Sequence, residues 1–288
     1  MIPPVVSADA LVALQSERRT VVADVRWYLD GRDGLAAYEA AHLPGAVWID
    51  LEGGLSGHHL PATEGRHPLP TPEAFAAAMG AAGVDDHTLV VAYDDAGGIT
   101  AARLVVMLRM VGHHAAVLDG GLTAWVADGR AVATGAAPQP ELAVFTPREW
   151  PAERFASAEE TAALAADPGA VVIDARPYER FTGDVTIVDP RPGHIPGARS
   201  APWTAVLAPD SRFLPADELR AYYASLGVNG ADATTGGPIA YCGSGVSACM
   251  NLVAMEHAGL APARLYVASF SGWSADPLHP VESGDPHG

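Results

Sequence analysis

The first half of this sequence is written again in the second, and that repeat constrains the fold more than any other feature. Ser7-Ala8-Asp9 returns as Ser157-Ala158-Glu159, Asp24-Val25-Arg26 as Asp174-Ala175-Arg176, and His42-Leu43-Pro44-Gly45-Ala46 as His194-Ile195-Pro196-Gly197-Ala198. Gly83-Val84 pairs with Gly227-Val228, Tyr93 with Tyr241 and Trp125 with Trp273, in unchanged order. The offsets run from 144 residues (Gly83 to Gly227) to 152 (His42 to His194). Two copies of one domain are the simplest account. The 288 residues give each copy about the length of an average domain, ~150 residues.

Within the first copy, short β-branched runs at 20–25, 89–93 and 115–118 alternate with helical patterns at 72–82 and 100–111. The second copy repeats this, with strands at 170–173, 238–241 and 264–267 and helices at 158–166, 216–226 and 247–259. The alternation predicts an α/β fold in each copy, a mainly parallel sheet flanked by helices. Ser157 followed by Glu160 is the signature of a capping-box helix start. The stretch 131–150 is rich in Ala and Pro with little periodicity, which suits an extended linker. The expected division is therefore 1–132 for the first domain, 133–152 for the linker and 153–288 for the second domain.

Charge narrows the function. All seventeen basic residues are arginine, which excludes a lysine Schiff base, a P-loop lysine and a kinase-type lysine. Thirty-four carboxylates leave a formal net charge of −17, so neither nucleic acid nor an anionic membrane is an expected partner. An anionic substrate would need locally placed arginines. Hydrophobic residues at 49% and charged residues at 18% are globular proportions. No apolar run reaches the ~18 residues of a membrane span. The start, MIPPVVSADA, has no basic segment leading into an apolar one, so a cytoplasmic location is expected. Cys242 and Cys249 are too few for a disulfide framework, and no zinc spacing occurs among the eleven histidines, so no metal is expected.

The copies differ where an α/β sheet binds its ligands, at the carboxyl end of a strand. After Tyr93 the first copy reads Asp94-Asp95-Ala96-Gly97-Gly98-Ile99-Thr100. After Tyr241 the second reads Cys242-Gly243-Ser244-Gly245-Val246-Ser247-Ala248. Two glycines let the second loop curl so that backbone N–H groups point at the sulfur, and a helix N-terminus follows; both favour a thiolate. The competing reading of a lone cysteine is a small buried hydrophobe. Cys249, inside the following helix pattern, takes that reading. Asp94-Asp95 suggests a magnesium site or the relic of a silent one, and its place opposite Cys242 favours the relic.

The HIPGA turn at His194–Ala198 with its echo at His42–Ala46, the Cys242 loop and the closing tryptophan segments carry a family resemblance over nearly the whole chain. The sequence resembles the two-domain rhodanese-like sulfurtransferases, in which the first domain is non-catalytic and a second-domain cysteine carries a persulfide. The loop Gly243-Ser244-Gly245-Val246-Ser247 is similar to the type that acts on 3-mercaptopyruvate, whereas thiosulfate-preferring members carry an Arg-Lys pair after the cysteine. The resemblance implies small-molecule partners, a sulfur donor (3-mercaptopyruvate, with thiosulfate as the alternative) and a thiol or cyanide acceptor, and no cofactor. A non-catalytic persulfide carrier is a further alternative. Related phosphatases need an arginine where this chain has Ala248.

By the same resemblance, Arg180 and Arg191 bind the donor carboxylate, and His67 with Glu52 (Asp50 the alternative) stands near Ser244. Other readings remain for two of these. Arg180 could instead pair at the surface with Glu179 or Asp184, the lesser reading, and His67 fits a solvated loop histidine as well. Arg176, Arg26, His194 and His42 recur in both copies and read as scaffold.

Overall fold

A sheet needs strand runs that pair and helices that cover both faces, and the repeated pattern supplies these twice. The computed structural model describes residues 2–136, 140–228 and 237–284. In the first unit the strands are β1 Val5–Val6, β2 Thr20–Asp24, β3 Val47–Trp48, β4 Leu89–Tyr93 and β5 Ala115–Leu118. The helices between and after them are α1 Ala8–Glu17, α2 Gly34–Ala40, α3 Leu51–Leu55, α4 Pro72–Ala81, α5 Ala101–Met110 and α6 Gly121–Ala127. The strands pair in parallel in the order β1-β5-β4-β2-β3. All five residues of β4 are buried, as a central parallel strand covered on both faces requires.

The second unit contains α7 Ala158–Ala165, β6 Val172–Asp174, α8 Tyr178–Thr182, β7 Arg199–Ser200, α9 Ala216–Ser225, β8 Ile239–Tyr241, α10 Ala248–His257, β9 Arg264–Leu265 and α11 Ser269–Ala275. Its parallel sheet runs β7-β6-β8-β9, the counterpart of β3-β2-β4-β5. The strand corresponding to β1 has shrunk to a single parallel bridge, Phe155 to Leu265. Each unit has its own core: Leu11, Tyr38, Val91, Leu118 and Trp125 in the first, Val172, Phe181, Tyr241, Phe270 and Trp273 in the second. The α/β fold and the repeat are as the sequence predicts.

Local chemistry explains the landmarks. Ser157 Oγ accepts from Glu160 N while the Glu160 side chain accepts from Ser157 N, so the capping box forms as expected. Gly197 of the HIPGA turn has φ +81°, and a Cβ there would lie 2.0 Å from the Ala165 carbonyl oxygen, so only glycine fits.

Compactness does not follow one cut in the chain. Residues 58–68 belong to the second unit, and 69–151 and 207–213 to the first. Of the expected linker, 137–139 lie outside the described residues, and 140–151 belong to the first unit. Ala143 N donates to Gly80 O at 2.9 Å, Phe145 meets Phe75 edge-on at 6.0 Å, and Trp150 Nε1 donates to Pro70 O at 2.8 Å. Two aromatic side chains with somewhere to bury fix a segment whose Ala and Pro content alone suggests a free spacer.

Candidate active site

The parallel register sets Asp174 beside Tyr241, so the carboxyl ends of β6 and β8 finish together. Asp174 and Arg176 form a buried pair, Nη2 to Oδ2 2.6 Å, with Arg176 stacked over the Phe270 ring at 3.9 Å. The Tyr241 hydroxyl accepts from Ile195 N at 3.2 Å, and His194 Nδ1 lies 2.8 Å from Phe181 O. Burial holds the His194 pKa below its usual 6.5. The first unit repeats the ion pair and both hydrogen bonds with Asp24–Arg26, Tyr93–Leu43 and His42–Tyr38. These recurrent residues are scaffold, as the repeat implies.

On that scaffold the residue after β8 is Cys242, 1% exposed. Its backbone N–H donates to Ser269 Oγ at 3.1 Å, its carbonyl accepts from Phe270 N, and Gly243 O accepts from Ser271 N, both at 2.9 Å. The loop is thus anchored to the start of α11. Gly245 adopts φ +77° and donates its N–H to Cys242 Sγ at 3.1 Å. This turn back toward the sulfur is what the two glycines predict. Val246 and Ser247 lead into α10, and Cys249 Sγ lies 3.4 Å from Gly245 O, buried within that helix.

The first copy shows what such a loop holds. Gly97 has φ +78°, matching Gly245, and the Asp94 carboxylate lies inside its own loop. Oδ1 accepts from Ala96 N at 2.9 Å and Gly98 N at 2.8 Å. Oδ2 accepts from Thr100 N, Thr100 Oγ1 and Ala101 N at 2.8, 3.0 and 3.1 Å. Both loops turn backbone N–H groups back onto the side chain of their first residue, a carboxylate in the first copy and a sulfur in the second. Asp95 accepts from Tyr28 Oη at 2.6 Å, so the acidic pair is divided between two internal roles.

Around Cys242, the second unit brings together several of the expected residues. His67 is buried, with Nδ1 2.7 Å from Ser244 Oγ, which makes a hydroxyl–imidazole pair beside the cysteine loop. Arg180, 8% exposed, pairs with Asp189 rather than Glu179 or Asp184. Its guanidinium tip reaches the loop: a Cβ built on Gly243 would lie 3.0 Å from Arg180 Nη2. Arg191 is the second carboxylate ligand expected from the sequence. Its guanidinium donates to the backbone oxygens of Trp273, Ser274, Asp276 and His279, at 2.7 to 3.3 Å, and ties down the end of α11. A guanidinium aimed at four carbonyl oxygens is a structural clamp. Glu52 lies in the first turn of α3, where it accepts from Trp27 Nε1 at 3.2 Å, and Asp50 caps the same helix.

Two residues were invisible in the sequence. Asp189 accepts from Arg66 Nη1 at 2.8 Å as well as from Arg180, and Arg176 lies 3.4 Å away. Burial alone pushes the Asp189 carboxyl up, but Arg180 and Arg66 outweigh it and hold its pKa below the usual 3.8. Arg66 Nη2 would lie 2.9 Å from a Cβ on Gly243, which Arg180 Nη2 also approaches. Its position next to His67 was the available signal.

The profile of the rhodanese-like domain matches residues 7–128 and 157–276, one copy per half. A Pseudomonas aeruginosa protein named as a 3-mercaptopyruvate sulfurtransferase is 39% identical over 290 residues, spanning 97% of this chain and 98% of its own. A Mycobacterium tuberculosis protein named as a thiosulfate sulfurtransferase is also 39% identical, over 282 residues, spanning 97% and 96%. Both names are provisional. Among solved structures, the 3-mercaptopyruvate sulfotransferase SseA from Escherichia coli superposes with a TM-score of 0.80 at 31% identity, over 93% of this chain and 99% of that one. With a matching domain in each half and relatives aligned end to end, the chain belongs to the rhodanese-like family, among its two-domain sulfurtransferases.

Proposed function

We propose that this sulfurtransferase takes sulfur from 3-mercaptopyruvate onto Cys242 and passes it to a thiol or cyanide, in the cytoplasm, with the first domain non-catalytic. The observation that carries the reading is the Cys242 loop, where Gly245 N–H lies 3.1 Å from Sγ and Ser244 Oγ lies 2.7 Å from His67. The Cys242 thiolate attacks the donor's thiol sulfur. A sulfur–sulfur bond forms, the carbon–sulfur bond breaks, and its electron pair leaves as the enolate of pyruvate. The proton of the donor thiol ends on the enolate carbon, and Ser244 with His67 provides a path for it. In the second step the acceptor thiolate attacks the outer sulfur and returns the Cys242 thiolate, so no oxidant or reductant is consumed. Loop N–H groups stabilise negative charge on Cys242 and on the persulfide. Arg180 binds the donor carboxylate.

The names of the relatives divide between donors, which keeps thiosulfate as the second reading. The loop itself favours 3-mercaptopyruvate, since Gly243-Ser244-Gly245-Val246-Ser247 contains no cation for a dianion. Among the described residues no helix is long and apolar enough to cross a membrane, which agrees with a cytoplasmic enzyme. Steady-state kcat/KM with each donor tests the choice. A preference for 3-mercaptopyruvate is expected; equal or greater efficiency with thiosulfate overturns the donor assignment and leaves sulfur transfer intact.

A further inference from the structure

A monocarboxylate donor needs a positive subsite, and this protein of net charge −17 builds one from few groups. Arg176 is neutralised by Asp174. What remains beside Gly243 is Arg66, Arg180 and the carboxylate they share, Asp189. Two positive charges and one negative leave a net charge of +1.

The geometry is held from several directions. Arg66 N donates to Ser271 Oγ at 3.1 Å, and Ser271 N donates to Gly243 O at 2.9 Å, so Arg66 and the cysteine loop are anchored to one residue. Asp189 takes Nη1 of Arg66, which leaves Nη2 on the side of Gly243. Nε of Arg66 and Nε of Arg180 are buried without a hydrogen-bond partner, although Arg180 is itself more than nine-tenths buried. Gly243 has no side chain, and both guanidinium tips come up to its Cα: a Cβ there would lie 2.9 Å from Arg66 Nη2 and 3.0 Å from Arg180 Nη2.

We propose that Arg66 is the second donor-binding guanidinium of this enzyme, in the place expected of Arg191, and that Asp189 trims the Arg66–Arg180 pair to a single net positive charge. The subsite is thereby matched to an α-keto monocarboxylate and not to a dianion. The inference rests on the donor reading above, and the test separates the two.

The experiment measures persulfide loading on Cys242 against donor concentration, with 3-mercaptopyruvate and with thiosulfate, and separately the discharge of preformed persulfide to cyanide. Arg66→Gln is expected to raise the half-saturating concentration of 3-mercaptopyruvate about tenfold or more, the effect of losing a hydrogen bond to a charged group. Discharge should change far less, and Arg66→Lys should recover part of the loss. Asp189→Asn is expected to raise the thiosulfate-to-mercaptopyruvate ratio of loading efficiencies several-fold, since it takes the subsite from +1 to +2. Arg66 is partly exposed at 29%, so its variants decide the matter even if Asp189→Asn fails to fold. A folded Arg66→Gln enzyme with unchanged half-saturation overturns the role of Arg66. A folded Asp189→Asn enzyme with an unchanged ratio overturns the charge-matching role of Asp189. Wild-type protein that does not load from 3-mercaptopyruvate at all overturns the donor reading instead.

Discussion

Replacing Asp94 by Ala should empty the cradle of the first copy, and the structure sets the size of the effect. The carboxylate is 1% exposed and accepts five hydrogen bonds, from Ala96 N, Gly98 N, Thr100 N, Thr100 Oγ1 and Ala101 N. Each bond to a charged group contributes about 1.5–3 kcal/mol net. Adding five such values overstates the loss, because the donors share one loop and can relax toward entering water. The better guide is the cost of leaving a buried donor without an acceptor, about 1–3 kcal/mol for each that stays unsatisfied. Asp94→Asn should lose nearly as much, since its NH2 group turns a donor toward backbone donors. Urea unfolding gives the total, and hydrogen exchange at Ala96, Gly98, Thr100 and Ala101 shows whether the loss begins in the loop. A cost below about 1 kcal/mol, in the range of a surface substitution, would refute the claim that this loop is built around an anion.

Arg180→Gln should raise KM for 3-mercaptopyruvate roughly 10- to 150-fold, the equivalent of about 1.5–3 kcal/mol, with a smaller effect on persulfide discharge to cyanide; separate half-reaction kinetics check it. Stability should fall as pH drops below 6.5, because burial holds His113 and His194 below that value and the unfolded chain takes up protons that these rings refuse. Urea midpoints from pH 7.5 downward measure the slope, and His194→Gln should flatten part of it. Asp189 acts lower on the scale: its depressed pKa stabilises the fold above 3.8, and that contribution is lost as pH falls through its folded pKa, a loss absent in Asp189→Asn.

The fold was legible because the repeat doubles every signal. A turn such as His194–Ala198 is weak alone and firm when His42–Ala46 repeats it, and the strand and helix periods agree in both copies. Cys242 stood out by the same logic, as the residue that differs where the scaffold does not. What escaped was long-range. Asp189 lies 123 residues from Arg66 and nine from Arg180, and no local pattern ties the three together. Arg191 shows the converse. Its position beside the HIPGA turn suggests a ligand, but four carbonyl oxygens around α11 claim its guanidinium, and carbonyl direction is not written in the side-chain sequence. Residues 140–151 read as a spacer because Ala and Pro dominate, while Phe145 and Trp150 decide where the segment packs.

A side chain added to the loop at Gly243 needs the neighbouring guanidiniums to move. A Cβ on Gly243 would lie within 3.0 Å of Arg66 Nη2 and Arg180 Nη2, so a side chain there displaces the guanidiniums already present.

The account stands on one sulfur atom. Intact-mass analysis after incubation with 3-mercaptopyruvate should show a single added sulfur on the wild-type chain and on Cys249→Ser, none on Cys242→Ser, and its loss on treatment with cyanide. Sulfur retained by Cys242→Ser, or found on Cys249, would contradict the assignment of Cys242 as the carrier.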